Sequence, residues 1–370
     1  MKILTNNLKR QYDLYASDYE KKAIDVLRSG WYILGKEVFT FEEEFAKYIG
    51  ANYCVGLGNG LDALWISFKL LGIQEGDEVI VCSNAYIACV MGITMNGATP
   101  VFVEPDQFDN IDANKIEEKI TGNTKAILAV HLYGQSCDMD IIMSLAKKHD
   151  LKVVEDCAQS HGTKWKNQTC GTIGDVGCFS FYPSKGCGAF GDAGAIVTNS
   201  KELADKFKIY RNYGSEKRYY NQVVGTNSRL DEMQAGLLRV KLSHLDEMNT
   251  ERNILANRYI SEINNPVIQI LATRPNCYNT WHQFVIHTPY RDQLIKYLNE
   301  FEIGTIIHYP IPPHLAEAYE YLGFTKGDFP IAEKYSNEVL SLPIYNGMSE
   351  EEQDFIIGKI NKFNPNLQEN

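Results

Sequence analysis

Short apolar runs alternate with amphipathic segments between about residue 53 and residue 200. The runs have the length and composition of buried strands: YCVGL, DEVIVC, TPVFV, AILAVHLYG and LKVVEDC. Between them, segments such as DMDIIMSLAKKHD repeat apolar residues at helical spacing, with one face formed by Ile141, Ile142, Leu145 and Ala146. This alternation predicts an α/β fold, a mostly parallel sheet covered by helices on both faces. Ligands of such sheets bind at the carboxyl ends of the strands.

The pattern changes after residue 200. Apolar residues at helical spacing predict one long helix from about Arg229, with Leu230, Met233, Leu237, Val240 and His244 or Leu245 on one face. Beyond it, WHQFVIHT, a helix in RDQLIKYLNEF, a strand in GTIIHY and a terminal helix near SEEEQDFIIGKI indicate a smaller α+β unit. Because 370 residues exceed the usual size of a single core, we predict a large domain over residues 1–245 and a small one over residues 246–370.

Composition narrows the classes of function. The formal charge of −11 and the pI near 5.3 argue against a nucleic-acid-binding protein, which needs a concentrated basic surface. The nine cysteines are scattered and form no Cys-x-x-Cys pair, as expected of buried thiols in a reducing compartment rather than of disulfides or a metal site. The first residues lack the apolar core of a signal peptide, and the most apolar window, VIVCSNAYIACVMGITM, is too short to span a membrane. We therefore expect a cytoplasmic protein with no membrane or nucleic-acid partner.

Two motifs lie at predicted strand ends. GLGNGLDALW, residues 56–65, follows a strand and opens a helix, so its glycines let the backbone approach a phosphate at the helix amides. A simple strand-to-helix turn explains this motif at least as well, because it is not a complete nucleotide-binding fingerprint. In VVEDCAQSHG, residues 153–162, Asp156 ends an apolar strand. It is either a helix cap or a carboxylate that keeps a heterocyclic nitrogen protonated, with Gln159 on the same side.

A lysine occupies an unusual position in the third motif, FSFYPSKGCGAFGDAGAIV, residues 179–197. Lys185 is either an ordinary surface lysine or an amine held in a partly dry site, where it loses proton affinity and can form a Schiff base with a carbonyl. Ser180 offers its hydroxyl to a nearby anion. A phosphate turn, an acidic strand end and a lysine each meet a different need of one cofactor, pyridoxal phosphate.

With these motifs the sequence resembles the sugar aminotransferases of the DegT/DnrJ/EryC1/StrS family. The resemblance covers nearly the whole chain and is carried by SGWYILGKEVFTFEEEFAKYIG, VEDCAQSHG, FYPSKGCGAFGDAGAIVTN, NSRLDEMQA and HYPIPPH. It implies the aspartate-aminotransferase type of fold (pyridoxal-phosphate fold type I), with a mostly parallel seven-stranded sheet in the large domain and a smaller C-terminal α+β domain. The chain departs from the commoner family spellings at Gly186, Cys187 and Asp192.

The resemblance also assigns roles in cofactor binding. It implies that Lys185 holds the cofactor as an internal aldimine and that Asp156 pairs with the pyridine nitrogen. Gln159 would contact the ring hydroxyl, and Tyr86 would stack on the ring. The implied phosphate ligands are the backbone amides of Gly60 and Leu61, the Ser180 hydroxyl and, from a neighbouring subunit, Asn227. That last ligand implies a homodimer with shared active sites.

The implied reaction is transamination, since Lys185 stands where some family members carry the histidine of a dehydratase. L-glutamate would donate the amino group, with pyridoxamine phosphate as intermediate, and a keto-sugar nucleotide would accept it. HYPIPPHLAEAY resembles the spelling of enzymes that aminate C3 of dTDP-3-keto-6-deoxyhexoses in deoxyamino-sugar biosynthesis, for surface polysaccharides or antibiotics. A 4-keto-sugar aminotransferase is one alternative, and a non-catalytic sensor that binds the same ligands is an alternative of another class.

Four residues are candidate substrate contacts: Tyr182, His308, Tyr309 and His314. The alternative for the last three is a proline-stiffened loop with histidines on its surface. A zinc site at the two histidines is disfavoured, because no third ligand is suggested nearby. The substrate diphosphate needs local positive charge in an acidic protein, for which the candidates are Lys217, Arg218 and Arg229.

Overall fold

The computed structural model describes residues 2–367. Its centre is a seven-stranded sheet of order β1-β9-β8-β5-β4-β2-β3. These strands are β1 (Tyr53–Leu57), β2 (Glu78–Cys82), β3 (Thr99–Val103), β4 (Thr124–Val130), β5 (Lys152–Asp156), β8 (Val176–Ser180) and β9 (Gly194–Thr198). Only β9 is antiparallel to its neighbours in this sheet. The five strands predicted from apolar runs and the mostly parallel sheet are confirmed.

Helices cover both faces of the sheet, as the alternating pattern predicts. They are α1 (Leu8–Asp13), α2 (Ala16–Ser29), α3 (Lys36–Ile49), α4 (Gly60–Leu70), α5 (Ile87–Thr94), α6 (Met139–His149), α7 (Lys201–Tyr210) and α8 (Glu232–Ser243). One apolar cluster joins α4, α5 and α6 to the sheet, and a second joins α3 and α8 to its other face. In the second cluster the Phe45 ring packs edge-to-face on Phe179 and Phe181, at centroid distances of 5.0 and 5.1 Å. Both faces of the sheet are therefore buried, as is usual for a mostly parallel sheet.

The prediction of one long helix from Arg229 is wrong in one respect, because this segment forms two helices. α8 ends at Ser243, and α9 (Leu245–Glu262) begins after His244, whose backbone lies outside the helical region. The His244 amide bonds to the Lys241 carbonyl three residues earlier, which closes the last turn of α8 tightly. The Tyr15 ring stacks on the His244 ring at 3.8 Å and fills the bend.

The C-terminal part forms a smaller α+β unit. Its sheet has the order β12-β14-β15. Its elements are β12 (Gln269–Ile270), β14 (Phe284–His287), α10 (Arg291–Glu300), α11 (Pro330–Glu338), β15 (Val339–Leu342) and α12 (Glu350–Lys362). The predicted strand in GTIIHY is wrong, since only Ile306 bridges to Ser341 before the chain reaches the proline-rich segment. The division between residues 245 and 246 remains a prediction and falls at the start of α9.

Short elements complete the structure. A small sheet pairs β6 (Lys164–Trp165) with β7 (Gln168–Thr169) and β13 (Cys277–Tyr278), and β10 (Ser215–Lys217) pairs with β11 (Tyr220–Asn221). The 3₁₀ helices are Ala113–Lys115, Glu117–Lys119, Leu132–Gly134, Pro313–Leu315, Glu317–Leu322 and Pro365–Leu367. Within residues 2–367, none of the helices is long and apolar enough to cross a membrane.

Candidate active site

A cavity of about 430 Å³ opens at the carboxyl ends of β5 and β8. Ten of the twelve residues predicted for the site line it: Gly60, Leu61, Tyr86, Asp156, Gln159, Ser180, Tyr182, Lys185, His308 and Tyr309. The first eight come from the large part of the chain, and the last two come from the C-terminal part. The parallel sheet therefore brings together motifs that lie far apart in the sequence, at the position where such sheets bind ligands.

The first turn of α4 forms one wall of the cavity. The side chain of Asn59 caps the helix by accepting the Asp62 amide at 2.8 Å. The amides of Gly60 and Leu61 have no carbonyl one turn earlier, because a helix leaves its first N–H groups without intrahelical partners. A Cβ atom on Gly60 would lie 2.6 Å from the Ser180 Cβ, so glycine is what lets the helix start approach the end of β8. Two amides, a helix N-terminus and a hydroxyl make a cradle that suits a phosphate.

Asp156 lies at the buried end of β5. Its Oδ1 accepts the Ala158 amide at 3.0 Å, and its Oδ2 accepts the Cys89 thiol at 3.0 Å. Residues 157–163 form turns rather than a helix, so the helix-cap interpretation is wrong. Nearby, Gln159 accepts the Tyr133 amide at 2.7 Å and donates to the Tyr309 hydroxyl at 2.9 Å. Both side chains are held by bonds to the protein while facing the cavity.

Lys185 lies in the loop after β8 and is half-buried in the cavity wall. Its amide donates to the Tyr182 carbonyl at 2.8 Å, which closes a tight turn. Burial lowers the pKa of the amine to about 8, while the Asp156 carboxylate and Cys89 oppose this shift. The interpretation as an ordinary surface lysine is therefore wrong. An amine with such a pKa is partly neutral near physiological pH and can act as a nucleophile or as a base.

Aromatic and imidazole groups close the cavity on the side of the C-terminal part. The Tyr86 and Tyr309 rings lie 4.9 Å apart with their planes tilted by 34°. The His308 Nδ1 lies 2.8 Å from the Ser341 hydroxyl. Burial and the charge of Lys185 lower the pKa of His308 to about 4, so its ring is neutral at pH 7.

Two predicted site residues lie elsewhere. His314 is buried with Nε2 3.2 Å from Glu333 Oε1 and its ring 4.7 Å from that of Phe329, so the prediction that it contacts substrate is wrong. It is also not on the surface, as the alternative for this loop supposed. Asn227 is exposed outside the cavity of its own chain. Its predicted role in a neighbouring subunit stays a prediction.

Other cavity-lining residues were missed by the sequence reasoning, among them His282, Gln283 and Met91. His282 and Gln283 belong to WHQFVIHT, a segment that the sequence marks only as apolar, because the residues after this polar pair form β14. Burial and the charge of Lys185 lower the pKa of His282 well below its usual value. Cys89 was counted only as one of nine scattered thiols, although it contacts Asp156. The sequence does not show that Cys89 and Asp156 are in contact, and this contact is what distinguishes Cys89 from the other thiols.

The sequence model of the DegT/DnrJ/EryC1/StrS aminotransferase family matches residues 15–361. The chain belongs to this family. This aminotransferase is 50% identical over 350 residues to the dTDP-3-amino-3,6-dideoxy-alpha-D-galactopyranose transaminase of Aneurinibacillus thermoaerophilus, which covers 94% of this chain and 96% of the relative.

Two solved structures extend the comparison. The fold is similar to that of S. venezuelae DesV in complex with a ketimine intermediate, with a TM-score of 0.96 and 41% identity over 100% of this chain and 99% of that chain. It is also similar to Bacillus subtilis NtdA with bound cofactor PMP, with a TM-score of 0.88 and 31% identity over 96% and 83% of the two chains. The predicted fold class is confirmed, as is the prediction of a pyridoxal-phosphate-dependent sugar aminotransferase.

Proposed function

We propose that this aminotransferase transfers the amino group of L-glutamate to C3 of a dTDP-3-keto-6-deoxyhexose. One observation carries the proposal: a lysine of lowered pKa faces a fixed carboxylate and a phosphate cradle in the same cavity. The name of the Aneurinibacillus relative, a dTDP-3-amino-sugar transaminase, supports the sugar nucleotide and the position of the new amine. We propose that the enzyme acts in the cytoplasm as a homodimer.

The residues present fit pyridoxal phosphate. The cradle at Gly60, Leu61 and Ser180 suits its phosphate, because a side chain on Gly60 would fill the space between the helix and β8. Asp156 would pair with the ring nitrogen, and Lys185 would hold the cofactor covalently through Nζ. When bound, the cofactor supplies an electron sink that stabilises negative charge on the carbon losing a proton. Tyr86 would stack on the ring, and Gln159 would meet its hydroxyl.

Lys185 would also move the proton. Once the amino donor has displaced it, the free Nζ would take the proton from the α carbon of the donor. In the second half-reaction the same nitrogen would deliver a proton to C3 of the sugar. A positioned acid or base is typically worth about 10²- to 10⁴-fold in rate. Tyr182, His308 and Tyr309 would contact the sugar, since all three line the cavity.

The function is tested by incubating the protein and L-glutamate with 3-keto and 4-keto dTDP-sugars in parallel and locating the new nitrogen by NMR. We expect amination of C3 alone. Amination of C4 would favour the alternative regiochemistry, and no amination of either sugar would refute the proposal. Lys185→Ala should lose both activity and the yellow colour of the bound cofactor. Lys125→Ala, at an exposed lysine, is the matched control and should retain both.

The shared active site has its own test. Asn227 is exposed, and large apolar side chains near it in sequence are also exposed, including Tyr219, Tyr220 and Val224. A partner subunit would cover such a surface. Asn227→Ala should weaken cofactor binding by about tenfold through loss of a phosphate hydrogen bond, whereas the exposed Asn123→Ala should not. Full activity in a monomer, measured by light scattering during assay, would contradict the shared site.

A further inference from the structure

A buried thiol contacts the carboxylate that faces the ring position. Cys89 lies in the first turn of α5 and is 1% exposed. Its Sγ donates to Asp156 Oδ2 at 3.0 Å, while the other carboxylate oxygen accepts the Ala158 amide at 3.0 Å. Each oxygen of Asp156 thus has one protein donor, from two different segments. Together these donors fix the rotation of the carboxylate about its side-chain bonds.

The thiol remains a donor under all ordinary conditions. Burial and the negative charge of Asp156 raise the pKa of Cys89 well above its usual value. It is therefore neither a nucleophile nor a second negative charge in the cavity. A thiol is also a weak donor compared with a hydroxyl or an amide. The oxygen that it contacts consequently keeps most of its capacity to accept a stronger bond.

Other buried thiols near the cavity make different contacts. The Cys178 Sγ lies 3.3 Å from the Ser67 hydroxyl and donates to the Ala63 carbonyl at 3.3 Å, which are packing contacts between β8 and α4. Cys54 lies in β1, outside the residues that line the cavity. The contact with a functional carboxylate is what distinguishes Cys89.

We propose that Cys89 is a positioning residue that holds the Asp156 carboxylate toward the cofactor ring nitrogen. The inference rests on the proposed function, because it needs the ring nitrogen of pyridoxal phosphate at Asp156. Loss of the thiol would let the carboxylate rotate. Its charge would then act less strongly on both the ring nitrogen and the nitrogen of Lys185.

The experiment compares Cys89→Ala, Cys89→Ser and the control Cys54→Ala in the full chain. Equilibrium dialysis against pyridoxal phosphate gives cofactor affinity, and the absorbance of the loaded protein is followed from pH 6 to pH 10. We expect Cys89→Ala to bind the cofactor about tenfold more weakly, because a rotated carboxylate would weaken its charged hydrogen bond to the ring nitrogen. Its absorbance transition should move to lower pH, because Asp156 raises the pKa of the Lys185 nitrogen. Cys89→Ser retains a donor and should stay within about twofold of the parent.

Two results would overturn the inference. Cys89→Ala could match the parent in both affinity and absorbance transition, or Cys89→Ser could be as weak as Cys89→Ala, which would assign the effect to the volume of sulfur. Circular dichroism separates either result from loss of fold. If the parent protein itself binds no pyridoxal phosphate, the proposed function fails with it, and that outcome is visible before any variant is compared.

Discussion

Gly60→Ala tests whether the phosphate cradle depends on the close approach of α4 to β8. The added Cβ would lie 2.6 Å from the Ser180 Cβ, 3.1 Å from its Cα and 3.2 Å from its Oγ. Carbon atoms in contact normally lie about 3.5–4.0 Å apart, so the two segments would have to separate by about 1 Å. The residue before α4 is also tightly packed against β9, because a Cβ on Gly194 would lie 2.3 Å from the carbonyl oxygen of Asn59.

Separation by about 1 Å removes the geometry in which two amides and a hydroxyl reach one phosphate. Hydrogen bonds to a charged group contribute about 1.5–3 kcal/mol each, so we expect cofactor affinity to fall by about 10- to 100-fold. Overpacking should also lower the free energy of unfolding by about 1–3 kcal/mol. Gly358→Ala is the matched control, because a Cβ in that position of α12 meets nothing within 4 Å.

The assay is titration of each variant with pyridoxal phosphate, alongside urea unfolding without cofactor. Gly358→Ala should bind normally and gain about 0.5–1 kcal/mol of stability, since alanine favours helix more than glycine does. If Gly60→Ala is folded and binds the cofactor within about twofold of the parent, the phosphate does not lie at this turn. The assignment of Gly60 and Leu61 would then be refuted.

Two further predictions concern buried charges. Glu42→Gln should lower the free energy of unfolding, measured with urea, by about 3–5 kcal/mol, because it leaves the buried Arg211 without its ion-pair partner. Asp205→Asn, in an exposed pair, is the control and should lower it by less than about 1 kcal/mol. Equal losses of stability in the two variants would contradict this reasoning. Burial lowers the pKa of Lys241 to about 8, so its unfolded form binds more protons and the free energy of unfolding should rise between pH 8 and pH 10.5. Lys241→Met should remove about 3 kcal/mol of that rise, and an unchanged pH profile would contradict the prediction.

The sequence predicts those parts of the fold that depend on local pattern. Strands such as Lys152–Asp156 are apolar runs that any parallel sheet would bury, and their ends mark the site. The break at His244 is invisible to periodicity, because apolar residues continue on both sides of it. The β-branched segment GTIIHY fails as a strand because a strand also needs a partner along its whole length, and within residues 304–309 the one β-bridge is that of Ile306 to Ser341.

The site residues also divide into those that a local motif predicts and those that depend on contacts in the folded structure. The positions of Asp156 and Lys185 in the cavity could be predicted, because each residue ends or follows a strand in a recognisable motif. His314 belongs to a motif that reaches the cavity, yet its ring packs against Phe329. Membership of a motif therefore does not establish contact with a ligand. Cys89 shows the converse, since its proposed role depends on contact with a carboxylate 67 residues away in the sequence.

The chemistry of Lys185 depends on two opposing effects in the cavity. In the proposed mechanism the Asp156 carboxylate pairs with a ring nitrogen, yet its negative charge favours the protonated form of the lysine. Burial acts in the opposite direction and is the larger effect, which leaves the pKa of the amine at about 8. Burial of the amine is therefore part of the proposed mechanism: a change that exposes it to solvent would return Lys185 toward its protonated form while leaving every motif intact. Reactivity at this site belongs to the assembled cavity and not to the lysine motif alone.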